Sequence, residues 1–392
     1  MIRVGFVLNA SGNGWIGGTN YFQNLLRAIA TSDKIQPVIL SGDAFAPSIR
    51  FDPPLEIIRT RLVQPSRWLY KARKGSARIF GRDVLMERFL RNHNIDVLSH
   101  SGHLGRNAHL PTITWIPDFQ HIRLPEFFTA EQRRARDAAY AQSADASTRI
   151  VLSSEDAKRD FCAFRPSAAD KARILRFAST VTANADHVET RESLSERYGI
   201  REPFFHLPNQ FWAHKNHSVV IDALALARSS GRPMTVVCTG HTDDSRHPDY
   251  FPRLMRRARD AGCENDLKVL GLVPYADLAG LMRHSVAVIN PSLFEGWSTT
   301  VEEAKSLGKS ILLSDIPVHR EQAPDHGIFF DPRSSRDLAD RLLRFLDEYS
   351  LQDDEKRMNR ALEELPQRVR SFSACFEKIA VEAFESARKS MY

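Results

Sequence analysis

The chain has 392 residues, of which 42% are hydrophobic and 26% charged, and carries a formal net charge of +6. That length favours two comparable domains with real cores, and no apolar run approaches the eighteen or so residues of a membrane span. Cys162, Cys238, Cys263 and Cys375 are far apart and form no C-x-x-C pair, which fits a disulfide-free, cytoplasmic protein.

The first element is RVGFVLN, a strand: its one Arg and short apolar run, leading into a glycine-rich stretch, are unlike a secretory signal. Gly12-x-Gly14-x-x-Gly17 comes next, with the spacing of a dinucleotide fingerprint whose bare backbone admits a pyrophosphate. Asn9, Ala10 and Ser11 intervene where that fingerprint wants an immediate turn, which argues against NAD. A helical pattern runs from Thr19 to Ala30, followed by the strand patterns PVILSG and LEIIRT.

RWLYKARKGSARIFGR, Arg67 to Arg82, interleaves Trp68, Tyr70 and Phe80 with six basic residues. It suits an anionic membrane surface or a solvated surface segment. With no RNA- or DNA-binding motif elsewhere, nucleic acid is not expected as a partner. IDVLSH, TITWIPD, RIVLSS and ARILRF complete the strands of the first half, with a helical pattern from Glu131 to Gln142.

Ser179 to Pro203 is polar and carries no strand, and Thr190 to Tyr198 reads as a short helix closed by Gly199. FFHLPN, MTVVCTG, LKVLGLV, VAVINPS and SILLSD follow, separated by helical stretches, and after about Asp331 the pattern is helical to the end. Near-continuous apolar strands alternating with helices indicate a doubly wound α/β sheet, and here the pattern occurs twice. The expected domains are 1–185 and 186–372, with a terminal helix at 373–392 packing back on the first domain. Ligands of such sheets bind beyond the carboxyl ends of the strands, so a shared cleft is expected.

The most informative stretch is VAVINPSLFEGWSTTVEEAKSLGKSILLSDIPVHRE, Val286 to Glu321. A strand ends at Asn290-Pro291-Ser292 and a helix begins near Thr299, where Thr299 and Glu302 have the capping-box spacing and Gly308 stops the helix. Its amino end would favour a diphosphate. Glu295 and Glu303 flank that start in an E-x7-E spacing, so two carboxylates can accept hydrogen bonds from sugar hydroxyls on either side of a ligand. Both could equally be surface charges.

This segment resembles the retaining nucleotide-sugar glycosyltransferases of glycosyltransferase family 4, with GT-B architecture. The match comprises Asn290-Pro291-Ser292, Glu295-Gly296, Glu303, Ala304, Gly308 and Ser314-Asp315. LPNQFWAHKNH, GLVPYADL and TWIPDFQHIRLPEFF are similar to further stretches of the family, extending the resemblance over most of the chain. It implies that Glu295 contacts the transferred sugar, Glu303 the ribose and Lys215 the diphosphate, with the amides of Trp297, Ser298 and Thr299 adding to that charge stabilisation and Gly296 and Asn209 among the donor-binding residues. Gly17-Gly18 would be the N-terminal glycine loop beside the donor phosphates. The leaving phosphate would take the acceptor's proton, so no dedicated base is required. A saccharide or lipid-linked acceptor is implied, with a mannosyl or related hexosyl transfer from a GDP-sugar in bacterial polysaccharide or lipopolysaccharide assembly as the leading expectation.

Two positions depart from the family pattern. Asn209 stands where an Arg usually precedes the phosphate-binding Lys, leaving His214 or His217 to compensate. Pro117-Asp118 stands where His-Asp is usual, leaving Asp118 and His121 as acceptor-side candidates. His100-x-x-His103 and His214-x-x-His217 lack a third ligand for zinc, and no D-x-D or G-x-S-x-G occurs. No cofactor or metal is therefore expected. An epimerase or donor hydrolase of the same fold, or a degenerate partner subunit, remain the alternative readings.

Overall fold

The structure, a computed structural model, describes residues 1–8, 16–43, 51–65, 68–180, 189–322 and 324–389. Gly12, Gly14, Asn9 to Ser11 and Arg67 lie outside the described residues. The chain divides into two compact units, one of Met1–Phe119, Ala130–Ala178 and Gln367–Tyr392, the other of Gln120–Thr129 and Ser179–Pro366.

The first unit holds β1 (Ile2–Leu8), β2 (Ile35–Ser41), β3 (Glu56–Arg59), β4 (Val97–Ser99), β5 (Thr112–Trp115), β6 (Arg149–Leu152) and β7 (Ala172–Ile174). All pair in parallel, in the order β3-β2-β1-β4-β5-β6-β7. Val4, Phe6, Val38, Ile39 and Leu40 are fully buried, the reason these strands read as apolar runs without alternation.

The second unit holds β8 (Phe204–Leu207), β9 (Thr235–Thr239), β10 (Leu267–Gly271), β11 (Val288–Asn290), β12 (Ile311–Ser314) and β13 (Gly327–Phe330). These are also parallel, ordered β10-β9-β8-β11-β12-β13. The order reverses between β8 and β11, and the carboxyl ends there are where such sheets take ligands. β13 was not anticipated: its four residues, GIFF, form an edge strand too short to show a pattern.

The boundaries differ from those expected. The segment Gln120–Thr129 groups with the second unit, and the terminal helix is much longer than 373–392, running from Leu351 to Lys389. The division falls at Pro366, whose missing amide removes one helical hydrogen bond. Beyond it Phe372, Phe376, Ile379, Ala380 and Ala383 are buried, Phe376 lying 5.8 Å from the Phe6 ring. Glu382 accepts from Arg173 Nε at 2.6 Å, fixing the helix to β7.

Candidate functional site

At the point of strand reversal, four polar side chains joined by three hydrogen bonds, and closed through the backbone from Ser298 to Thr300, form a ring at the start of the helix Thr299–Leu307. Asn209, just past β8, donates from Nδ2 to Asn290 Oδ1 at the end of β11, at 3.2 Å. Asn290 Nδ2 donates to Ser298 Oγ at 2.8 Å, and Thr300 Oγ1 donates back to Asn209 Oδ1 at 3.2 Å. All four residues are buried. Sequence pattern assigned the cap to Thr299 with Glu302; the structure gives it to Ser298, whose hydroxyl accepts from Val301 N. Glu302 instead accepts from Gln322 Nε2 at 3.0 Å, while the Gln322 side chain brackets the Ser298 peptide, accepting from its N–H and donating to its C=O. The Ser298 amide, expected to face a donor phosphate, is thus already satisfied. Among the described residues the amides of Thr299 and Thr300 have no acceptor, as expected of a helix's first turn.

Lys215 reaches the same place from the turn after β8. Residues Ala213–Lys215 form one tight helical turn, and Asn216 follows with φ 56°, a left-handed conformation that Asn tolerates better than most residues. The Asn216 side chain holds the turn by donating to Pro291 O at 3.1 Å and Pro332 O at 2.9 Å. Leu293 N donates to His214 O at 2.8 Å, tying the turn to the loop that carries Glu295. Lys215 Nζ then donates to Glu295 Oε1 at 2.5 Å, both side chains being almost buried. The Ser292 hydroxyl lies 2.7 Å from both Glu295 Oε1 and Asn290 Oδ1, linking the ion pair to the ring.

The two glutamates have opposite electrostatics. Burial pushes the Glu295 carboxyl up, but the charge and hydrogen bond of Lys215 outweigh it and hold the group below its ordinary value. Glu303 is equally buried and has no hydrogen-bond partner among the described residues, and burial pushes it up to about 8. Glu295 is therefore a carboxylate facing an ammonium, and Glu303 a neutral acid at pH 7.

Both histidines offered as compensation for Asn209 are buried. His217 is fully buried and stacks flat on Phe211, with ring centroids 4.2 Å apart; burial, aided by Lys215, pulls it down to about 3, so it is neutral. His214 is buried with its ring 5.7 Å from that of Trp212. Asn209 itself spends its side-chain oxygen and one N–H on the ring, acting as a strut for the helix start.

Gly17 and Gly18 lie in the first turn of the helix Ile16–Ile29 of the first unit, and a Cβ at Gly17 would meet nothing within 4 Å. Asp118 pairs with Arg136 NH1 at 3.5 Å in that unit, whereas His121 is buried in the segment grouped with the second unit. Trp297 is buried and Gly296 half-buried in the loop before the helix.

His100 and His103, the pair without a third zinc ligand, are engaged by other groups. His100 Nε2 lies 2.7 Å from Tyr21 Oη and Nδ1 2.7 Å from Ser99 Oγ, and His103 Nδ1 accepts from Gly105 N. Among the described residues no group of three or more His, Cys, Asp or Glu is placed to hold a metal.

Two side chains of the site escaped the sequence reading. His319 is fully buried: Nδ1 lies 2.9 Å from Ser314 O, Nε2 has no partner among the described residues, and burial pulls the ring down to about 4 despite the Glu295 charge. Gln322, which holds the Ser298 peptide, is the other. Both follow β12 in a short helix, Pro317–Gln322, with no pattern that distinguishes them from surface residues.

Residues 191–364 match the family model of glycosyl transferases group 1. Comparison of the sequence with curated proteins gave no match. Solved structures similar along the whole chain include a glycosyltransferase from Rickettsia africae at 16% identity and TM-score 0.67, covering 99% of each chain. Anabaena HepE in complex with UDP and glucose aligns at 15% identity and TM-score 0.61, over 100% of this chain and 99% of that one. WaaG, a glycosyltransferase involved in lipopolysaccharide biosynthesis, aligns at 15% and TM-score 0.59, covering 98% of each. The family-model match thus falls within the second unit, and the two parallel-sheet, Rossmann-like units are those of the GT-B fold.

Proposed function

We propose that the protein is a retaining glycosyltransferase that moves a hexose from a nucleotide diphosphate donor to a saccharide or lipid-linked acceptor. The observation that carries this reading is the Lys215–Glu295 pair beside the open amides of Thr299 and Thr300, at the point of strand reversal. A diphosphate fits such a place: the helix end and an ammonium both meet negative charge. When it binds, Lys215 turns from Glu295 to the phosphates, and Glu295 is released to accept hydrogen bonds from the sugar. The charge developing on the leaving phosphate is then met by Lys215 and the helix amides. The phosphate oxygen takes the acceptor's proton, so no protein base and no metal is required in this reading. Glu303, one turn inside the helix, faces the ribose.

HepE has been solved with UDP-glucose, and WaaG and the galactosyltransferase WaaB act in lipopolysaccharide synthesis. The fold alone does not carry their donors over, and the family resemblance favours a GDP-hexose, GDP-mannose first. Asp118, Gly17 and Gly18 are proposed to line the approach of acceptor and donor phosphates, with His121 on the acceptor side. The cytoplasm is the proposed compartment. The test is incubation with GDP-mannose, UDP-glucose and other nucleotide sugars plus a saccharide acceptor, with proton NMR of the product's anomeric centre. Retention, abolished in Glu295→Ala, is expected; inversion, or nucleotide release without a glycosyl product, contradicts the reading.

A further inference from the structure

In the first unit the basic aromatic segment forms the helix Trp68–Phe80, none of whose residues is fully buried. Its inner side is tethered by Arg73, whose Nε lies 2.7 Å from Asp83 and whose NH1 donates to Leu62 O at 3.0 Å. Arg73 also covers the Tyr70 ring at 5.1 Å. With Tyr70 and Arg73 facing the protein, helical spacing turns Trp68, Ala72, Gly75 and Ile79 to the outside as one stripe. Trp68 is 73% exposed and Ile79 77%, and Phe80 at the helix end is 60% exposed.

Lys71, Lys74 and Arg78 form a second stripe alongside. Lys71, Lys74 and Arg78 make no ion pair within 4.0 Å among the described residues, Lys74 lying 5.7 Å from the Tyr70 ring. The helix itself contains no acidic residue, and the acids that follow it are already matched: Asp83 by Arg73, Glu87 by Arg82 and Arg91. An outward apolar stripe flanked by unmatched cations, on a helix pinned from behind, has the chemistry of a segment lying in a membrane interface. No helix of the described residues is long and apolar enough to cross a membrane.

We propose that the helix Trp68–Phe80 docks the protein on an anionic bilayer, Trp68, Ile79 and Phe80 entering the headgroup boundary while Lys71, Lys74 and Arg78 meet the lipid phosphates. A second protein copy is disfavoured because the same cations would face each other across the interface. The inference does not depend on the reaction proposed above.

The test is flotation of the full chain with vesicles of phosphatidylcholine alone or with about a third phosphatidylglycerol. The wild type floats with the anionic vesicles at low salt and not with the neutral ones. Lys71→Gln, Lys74→Gln and Arg78→Gln each lower the partition coefficient about fivefold, and Trp68→Ser with Ile79→Ser lowers it as well, all with unchanged thermal unfolding. Brominated lipid quenches wild-type fluorescence more than that of Trp68→Phe. No flotation at low salt overturns the proposal. So does binding lost with the cations but unaffected by Trp68→Ser and Ile79→Ser, which would point to polyanions in general, RNA included. Self-association relieved by those two substitutions, without vesicle binding, overturns it in favour of a second copy.

Discussion

Glu295 and Glu303 stand either side of one helix start and are held in opposite protonation states, the first ionised against Lys215, the second kept neutral by burial. A pair of carboxyls separated in this way can present an acceptor to one part of a ligand and a hydroxyl donor to another. The unpaired acid is also a stability term with a definite sign.

Glu303 has a folded-state value near 8 against an unfolded value of 4.5. Between those values the folded state binds more protons than the unfolded one, so the residue's contribution to stability falls as pH rises from about 4.5 to about 8 and then levels off. Glu303→Gln removes that penalty. Thermal unfolding at pH 5 and pH 8.5 is expected to show a smaller loss in the variant than in the wild type, by a few kcal/mol. An equal loss in both would mean that Glu303 is not buried unpaired.

Lys215→Ala acts on both binding and folding. It leaves Glu295 nearly buried without its cation, and the carboxyl rises. Stability is expected to fall by about 2–4 kcal/mol in urea unfolding. Affinity for a nucleoside diphosphate is expected to fall about tenfold to a hundredfold in calorimetric titration. Glu295→Ala frees Lys215 and should leave nucleoside diphosphate binding intact while abolishing transfer.

Asn209→Ala opens the polar ring. Asn290 Oδ1 loses one donor and the Thr300 hydroxyl loses its acceptor, both in buried positions. A loss of about 1–3 kcal/mol is expected in urea unfolding. Asn209→Arg should be no better, because the ring, and not a solvent-facing pocket, occupies its oxygen and one N–H. A gain in donor affinity in that variant would contradict the strut role.

The far end of the same helix is locked by two adjacent residues. Gly308 has φ 65°, and a Cβ there would collide with Arg357 O; Lys309, fully buried, donates to Arg283 O, Ser285 O and Asp354 Oδ2. Breaking a buried pair strands the remaining charge, so Asp354→Ala is expected to cost about 3–5 kcal/mol. Gly308→Ala is expected to lower the melting temperature by several degrees. Neither residue belongs to the proposed donor-binding set, so donor affinity of the folded fraction should be unchanged.

The strands were legible because the buried parallel sheets demand apolar runs, and Gly199 and Gly308 were legible because both close helices in left-handed geometry with φ of 59° and 65°. Glu295, Glu303 and Lys215 stood out by spacing and resemblance, and the structure sets Lys215 against Glu295. What could not be read was long-range hydrogen bonding. Nothing local distinguishes Ser298 from Thr299 as the cap, since the choice depends on Asn290 Nδ2 and Gln322 reaching Ser298 from other segments. Nothing near Lys309 in the sequence marks it as buried, since its partner Asp354 lies 45 residues further along the chain. His217 looked like a spare cation until Phe211 covered its ring.

The most direct test is thermal unfolding of the full chain with GDP, UDP, ADP, CMP or NAD, with and without a chelator. A ligand at a hundred times its dissociation constant adds about 2.7 kcal/mol, enough to raise the midpoint by a few degrees. A rise with one nucleoside diphosphate, unchanged by the chelator and lost in Lys215→Ala, is the predicted result. A rise with NAD alone, or none with any nucleoside diphosphate, would contradict a donor site at Lys215 and the helix Thr299–Leu307.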